Sequence, residues 1–180
     1  MSIKLFSKQP FMISYDIIFI AGAPGTGKSS IAKRLQKKLR SPCFEFCWIP
    51  EFRQKGNKTI PYKEEEGIAF ENLMLVVKNY IKHGFKHVIV TDLEDKRITE
   101  LHHHFKKQNY ILFTLAVKDD AILKSRIADK TRSSEYRDYK TALSINQKIL
   151  DRPLLPHEVR IETAGIPLKE IEKTILEVLK

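Results

Sequence analysis

Two cysteines in 180 residues, Cys43 and Cys47, are too few for a disulfide scaffold, and no longer Cys/His framework extends them. That usage suits a reducing compartment. No apolar run approaches the ~20 residues of a membrane span. The opening MSIKLFSKQPFMISYD lacks a long apolar core and a small-residue cleavage site, so no signal peptide is read there. A cytoplasmic location is the expectation. The chain also lacks internal repeats, low-complexity segments and convincing linkers, so one domain spanning residues 1–180 is expected. Lysines never form a block of five or more. The net charge of +10, from 32 basic and 22 acidic residues, therefore reads first as a solvated surface. A basic balance still favours anionic partners such as nucleotides, phosphorylated metabolites or nucleic acid.

Glycine is scarce too, with seven in the chain, yet three of them fall between positions 22 and 27. They belong to GAPGTGKS, which follows the apolar run Ile17 to Ala21 and precedes the helix-forming Ile31, Ala32, Lys33, Arg34 and Leu35. The stretch fits G-x-x-x-x-G-K-[ST] at Gly22, Gly27, Lys28 and Ser29. Glycines let the backbone curl so that successive amides point inward as an anion nest. The helix that starts near Gly27 adds its positive end. Lys28 would reach the β- and γ-phosphates of a nucleoside triphosphate, and the Ser29 hydroxyl would meet Mg²⁺. The binding loop is thus Gly22, Ala23, Pro24, Gly25, Thr26, Gly27, Lys28, Ser29 and Ser30, with ATP and Mg²⁺ as its ligands.

Hydrophobic periodicity predicts strands over 15–21, 43–49, 87–92, 110–117 and 158–163. Helices are expected up to about Arg40, over 63–83 with Gly84 as its cap, over 95–107 and over 119–129. A helix near 138–149 and a closing amphipathic helix on Leu168, Ile171, Ile175 and Val178 complete the set. Strands alternate with helices, and the central strands are nearly all apolar. That pattern indicates a parallel sheet covered on both faces. The expected fold is α/β: three αβα layers around a five-stranded parallel sheet.

In HVIVTD, the apolar run would deliver Asp92 at the C-terminal edge of the sheet. Its carboxylate could hold Mg²⁺; alternatively Asp92 or Asp95 caps the helix that follows. His102, His103 and His104 are consecutive and point in different directions, so a solvated helix face is expected. Cys43 and Cys47 would lie on one strand face as packing residues. Trp48 and Phe52 could stack on a ring or pack in the core.

With the GAPGTGKS loop in this setting, the chain resembles the P-loop small-molecule kinases: nucleoside monophosphate, shikimate and gluconate kinases and AAA-type kinase-like proteins. A guanine-reading N-K-x-D is missing, since NKTI at Asn57 lacks the aspartate. In WIPEFR, the resemblance implies Glu51 as general base and Arg53 as acceptor binder, with a surface Glu–Arg pair as the alternative. In LKSRIADKTRSSEYRD, it implies lid arginines among Arg126, Arg132 and Arg137, within a lid-like segment around 126–152. Arg152 is a further candidate, and helix-surface charge is the alternative for each. The loop Thr163, Ala164 and Gly165 would pack on adenine. The resemblance implies a kinase acting on a small-molecule acceptor held between the loop after the second strand and helix 63–83. A polynucleotide 5′-hydroxyl kinase and a non-catalytic nucleotide-binding regulator remain the alternatives.

Overall fold

A computed structural model describes residues 14–47, 61–131 and 134–180. In chain order the elements are β1 (Ile17–Gly22), α1 (Lys28–Leu39), β2 (Cys43–Glu45), α2 (Tyr62–Lys82), β3 (Val88–Thr91), α3 (Asp95–His104), β4 (Tyr110–Ala116), α4 (Asp120–Ala128), α5 (Tyr139–Asp151), β5 (Glu158–Glu162) and α6 (Leu168–Val178). The strands pair in the order β2-β3-β1-β4-β5, all parallel. The α/β fold with a five-stranded parallel sheet is the one the periodicity predicts.

The alternation of β1 explains the layers. Ile17, Phe19 and Ala21 face one way, onto Phe70, Leu73 and Val77 of α2 and Ile98 and Leu101 of α3. Ile18 and Ile20 face the other way, onto Ile31 and Leu35 of α1 and Ile171 and Ile175 of α6. Such two-sided burial needs the near-continuous apolar strand that the sequence supplies. Leu123 and Ile127 of α4 join Ala142 of α5 in a third, smaller cluster at the end of β4.

Several ends are set by named residues. Gly84 takes φ +85 behind α2, its N–H donates to the Ile81 carbonyl, and the Phe85 N–H donates to that of Tyr80. That is a Schellman motif, and the Tyr80 and Phe85 rings meet at 5.2 Å to close it. Asp119 accepts from the N–H groups of Ala121 and Ile122 to cap α4, and Asp138 accepts from Thr141 to cap α5. α2 and α3 are joined by Arg97, which grips Glu66 through two hydrogen bonds of 2.8 and 2.6 Å.

The structure departs from the periodicity in places. β2 ends at Glu45 rather than at 49, because the chain turns at Phe46 and Cys47. Cys43 is buried while Cys47 is exposed, so the two do not share a strand face. α3 stops at His104, where Phe105 drops into the core. His104 also leaves the solvated face and packs its ring on Phe70, 5.0 Å between centroids. Neither Asp92 nor Asp95 caps α3; Glu94 holds the cap position without a side-chain bond.

Candidate active site

β1 runs into the loop 22–27 at the middle of the sheet, between β3 and β4. This is the point where strand order reverses and a crevice opens at the carboxyl ends of the strands. Gly22 has φ +140, and a β-carbon there would lie 2.4 Å from the Leu115 carbonyl oxygen. Only glycine allows so close an approach of loop to β4. The buried Thr26 turns inward, its hydroxyl donating to the Ala23 carbonyl at 2.9 Å.

α1 begins at Lys28 behind Gly27, which takes φ +100 and contributes no side-chain cap. No acidic residue occupies the first turn. Gly27 thus gives the first turn of α1 no side-chain cap, and the helix dipole adds positive potential there. The Lys28 ammonium curls back over the loop. Its Nζ donates to the Ala23 carbonyl at 3.2 Å and stands 3.7 Å from Asp92 Oδ1. Asp92 follows β3 directly and takes φ +67, a left-handed conformation that aspartate tolerates better than most residues. Its side chain is 43% exposed, so the carboxylate faces the crevice rather than the core.

The crevice has a volume of about 890 Å³. The loop residues Pro24 to Ser30 form its floor, together with Asp92. Arg126 of α4 forms one wall, and Ile166 and Leu168, before and at the start of α6, provide an apolar one. Leu168 was expected in the core of the closing helix; it is 39% exposed and borders the crevice instead.

The predicted site residues divide into three groups. Lys28, Ser29, Asp92 and Arg126 are brought together on one crevice. Glu51, Arg53 and Arg132 lie outside the described residues, as do Trp48 and Phe52. Arg137 and Arg152 are not among the lining residues, although Arg137 borders Ser134 and Tyr136, which are. Arg137 donates to the carbonyls of Ser134 and Tyr136 beside it, at 2.6 and 2.9 Å. Arg152 is locked on Glu158 by bonds of 2.6 and 2.8 Å, at the start of β5 and so at the opposite end of the sheet. A structural ion pair replaces the lid role that sequence reasoning offered it.

Among the crevice residues that sequence reasoning missed are Glu45 and Cys47. Glu45 ends β2 level with Thr91, one residue ahead of Asp92, and it lines the crevice with Cys47. The signal was a single acid in the otherwise apolar CFEFC. Burial pushes the Cys43 thiol up to about 11, helped by Glu45 and opposed by Lys33. Burial lowers the Arg126 guanidinium pKa from its ordinary value, partly offset by Glu162.

No protein-family model and no curated protein matches the chain. Solved structures do. A gluconokinase from Sinorhizobium meliloti 1021 superposes with a TM-score of 0.63 at 15% identity, covering 93% of this chain and 93% of that one. A thymidylate kinase from Candida albicans gives 0.60 at 15% identity, with 92% and 91% covered. A shikimate kinase from Bacteroides thetaiotaomicron gives 0.59 at 14% identity, with 91% and 97% covered. The chain has the fold of the P-loop small-molecule kinases.

Proposed function

We propose that the chain is an ATP-dependent, Mg²⁺-requiring phosphotransferase acting on a small-molecule acceptor. One observation carries this reading. Lys28, Asp92 and the uncapped first turn of α1 converge on a single crevice at the carboxyl ends of β1 and β3.

The donor set fits Mg²⁺. Ser29 and Asp92 offer hard oxygen atoms, and among the described residues no group of three or more His, Cys, Asp or Glu could hold a metal alone. A cation that keeps its waters and takes most other ligands from phosphates suits such a sparse site. Bound with the triphosphate, Mg²⁺ supplies Lewis-acid neutralisation of the phosphate oxygens.

The loop amides and the α1 N-terminus hold the phosphates, and Lys28 neutralises charge on the group being transferred. Arg126 adds a second cation from the wall. Arg132 belongs to the lid-like segment and would close over the transfer, excluding water. The acceptor enters between the end of β2 and the start of α2. Its hydroxyl oxygen forms the new bond to the γ-phosphorus as the bond to the β–γ bridging oxygen breaks and ADP leaves. A carboxylate takes the hydroxyl proton, with Glu51 and Glu45 as the two candidates; Arg53 would hold an anionic acceptor group.

The test is ADP release with ATP and Mg²⁺ over a panel of hydroxylated and phosphorylated small molecules. Acceptor-dependent release should fall at least about 10²-fold in Lys28→Ala. Tight ATP binding with no acceptor-stimulated turnover, short oligonucleotides included, would overturn the reading in favour of a regulator. Turnover confined to oligonucleotides and steeply suppressed by salt would replace it with polynucleotide kinase activity.

A further inference from the structure

Arg126 is held by one residue, and that residue is neutral. Its Nη2 donates to the Thr163 carbonyl at 2.6 Å and its Nη1 to the Thr163 hydroxyl at 3.1 Å. Both bonds bridge from α4 to the residue just past β5, 37 positions away. The other partly buried arginines described above are treated differently. Arg97 is gripped by Glu66 and Arg152 by Glu158. A glutamate does stand next to Thr163, but the Glu162 carboxylate is occupied by the N–H groups of Lys118 and Ala164. Among the described residues Arg126 forms no ion pair.

Thr163 is itself fully buried and tied on every side. Its N–H donates to the Ala116 carbonyl at 2.9 Å, which carries the β4–β5 pairing one residue further. Its hydroxyl oxygen lies 3.3 Å from that same carbonyl and 3.4 Å from the carbonyl of Thr26. A guanidinium only donates, so the hydroxyl must accept from Arg126 and send its one proton to a carbonyl. One of those carbonyls belongs to the phosphate loop.

We propose that Thr163 is the positioning residue of Arg126, fixing its guanidinium over the crevice in register with the phosphate loop while leaving its positive charge unneutralised for the ligand. This rests on the reading that the crevice binds nucleotide phosphates. A carboxylate in the same place would hold the guanidinium as firmly but would cancel the charge that an anion needs. A threonine aims without cancelling. The second anchor is α4 itself, whose Leu123 and Ile127 pack on Gly25 of the loop. Backbone and side chain of Arg126 are thereby referenced to the same loop.

The experiment measures MgADP affinity by titration calorimetry in the wild type, Thr163→Val, Thr163→Ser, Arg126→Ala and the Thr163→Val/Arg126→Ala pair. Urea unfolding confirms that each variant is folded. Valine keeps the shape and the carbonyl but removes the hydroxyl. It should weaken MgADP about 10- to 100-fold, the scale of one charge-assisted hydrogen bond. Serine restores the hydroxyl and should stay within about twofold of wild type, and valine should add nothing in the Arg126→Ala background. A merely structural Thr163 would give a loss that persists undiminished without Arg126. That result, a serine as impaired as the valine, or a valine equal to wild type would overturn the proposal.

If the wild type bound no MgADP, the nucleotide reading would fall, and the Arg126 Nε–H resonance would decide positioning alone. A distinct, slowly exchanging signal in wild type and Thr163→Ser that is averaged in Thr163→Val supports it. An unchanged signal in Thr163→Val overturns it.

Discussion

Gly25 of the loop 22–27 lies directly against Ile127 of α4: a β-carbon on the glycine would stand 2.8 Å from Ile127 Cγ1 and 3.0 Å from Leu123 Cδ1. The contact also sits at φ +87, where an alanine is strained. Gly25→Ala should therefore cost about 2 kcal/mol or more, from overpacking and backbone strain together. Urea unfolding reads the loss. Ile127→Ala removes the crowding atom, so the double variant should be destabilised by less than the sum of the singles. Strict additivity would place the cost in the backbone alone.

Asp92 is a crevice carboxylate that stands 3.7 Å from the Lys28 ammonium. In the proposed function it holds the metal, directly or through water. Asp92→Asn should then raise the Mg²⁺ concentration needed for tight ADP binding by about tenfold or more. ADP affinity without Mg²⁺ should change far less. A titration of Mg²⁺ against fluorescent ADP separates the two. Equal loss with and without metal would assign Asp92 to Lys28 rather than to Mg²⁺.

Glu158 gives the fold an acid-sensitive joint. Burial raises its pKa, but the hydrogen bonds from Arg152 and the Leu155 N–H outweigh burial and leave it below the ordinary 4.5. A carboxylate whose pKa is depressed by folding stabilises the native state above its unfolded value. That contribution should be present above about pH 4.5 and lost as pH falls from there through the depressed folded value. Urea midpoints between pH 7 and pH 3 should drop, and Glu158→Gln should be less stable at pH 7 and flatten the drop. A parallel pH profile in the variant would assign the acid sensitivity elsewhere.

The two thiols should behave differently. Cys43 is buried with its pKa pushed up to about 11, whereas Cys47 is exposed at the crevice. The thiolate is the reacting form. One maleimide adduct is expected on the native protein at pH 7.5, at Cys47, and two in urea. Two fast adducts without denaturant, seen by mass spectrometry, would contradict the packing of β2.

What could be read from the sequence was what is local. The conformation of the loop 22–27 was legible because its glycines, three of them at positive φ, serve a backbone built within a few residues. Asp92 was legible for the same reason, since the four apolar residues of HVIVTD place it at a strand end. The partners of Arg126 and Arg152 were not. Both arginines lie in polar stretches, and which one meets Thr163 and which one meets Glu158 depends on where α4 and α5 dock on the sheet. Glu45 was hidden by the aromatic run around it, which read as strand through residue 49. The turn at Phe46 and Cys47 instead puts that acid at the strand tip, beside Asp92.

The place of β1 has a consequence for how the chain is made. β1 is the central strand of the sheet, yet it pairs with nothing synthesised near it. Ile17 stands against Val88 on one side and Tyr110 on the other. A growing chain therefore carries IIFIA without a sheet partner until β3 has emerged, and without its second until β4 has. Closing those long loops comes before any pairing compensates for it, which slows folding and leaves an aggregation-prone segment open in the meantime. The strand that leads into the crevice loop is thus also one dependent on protection during synthesis.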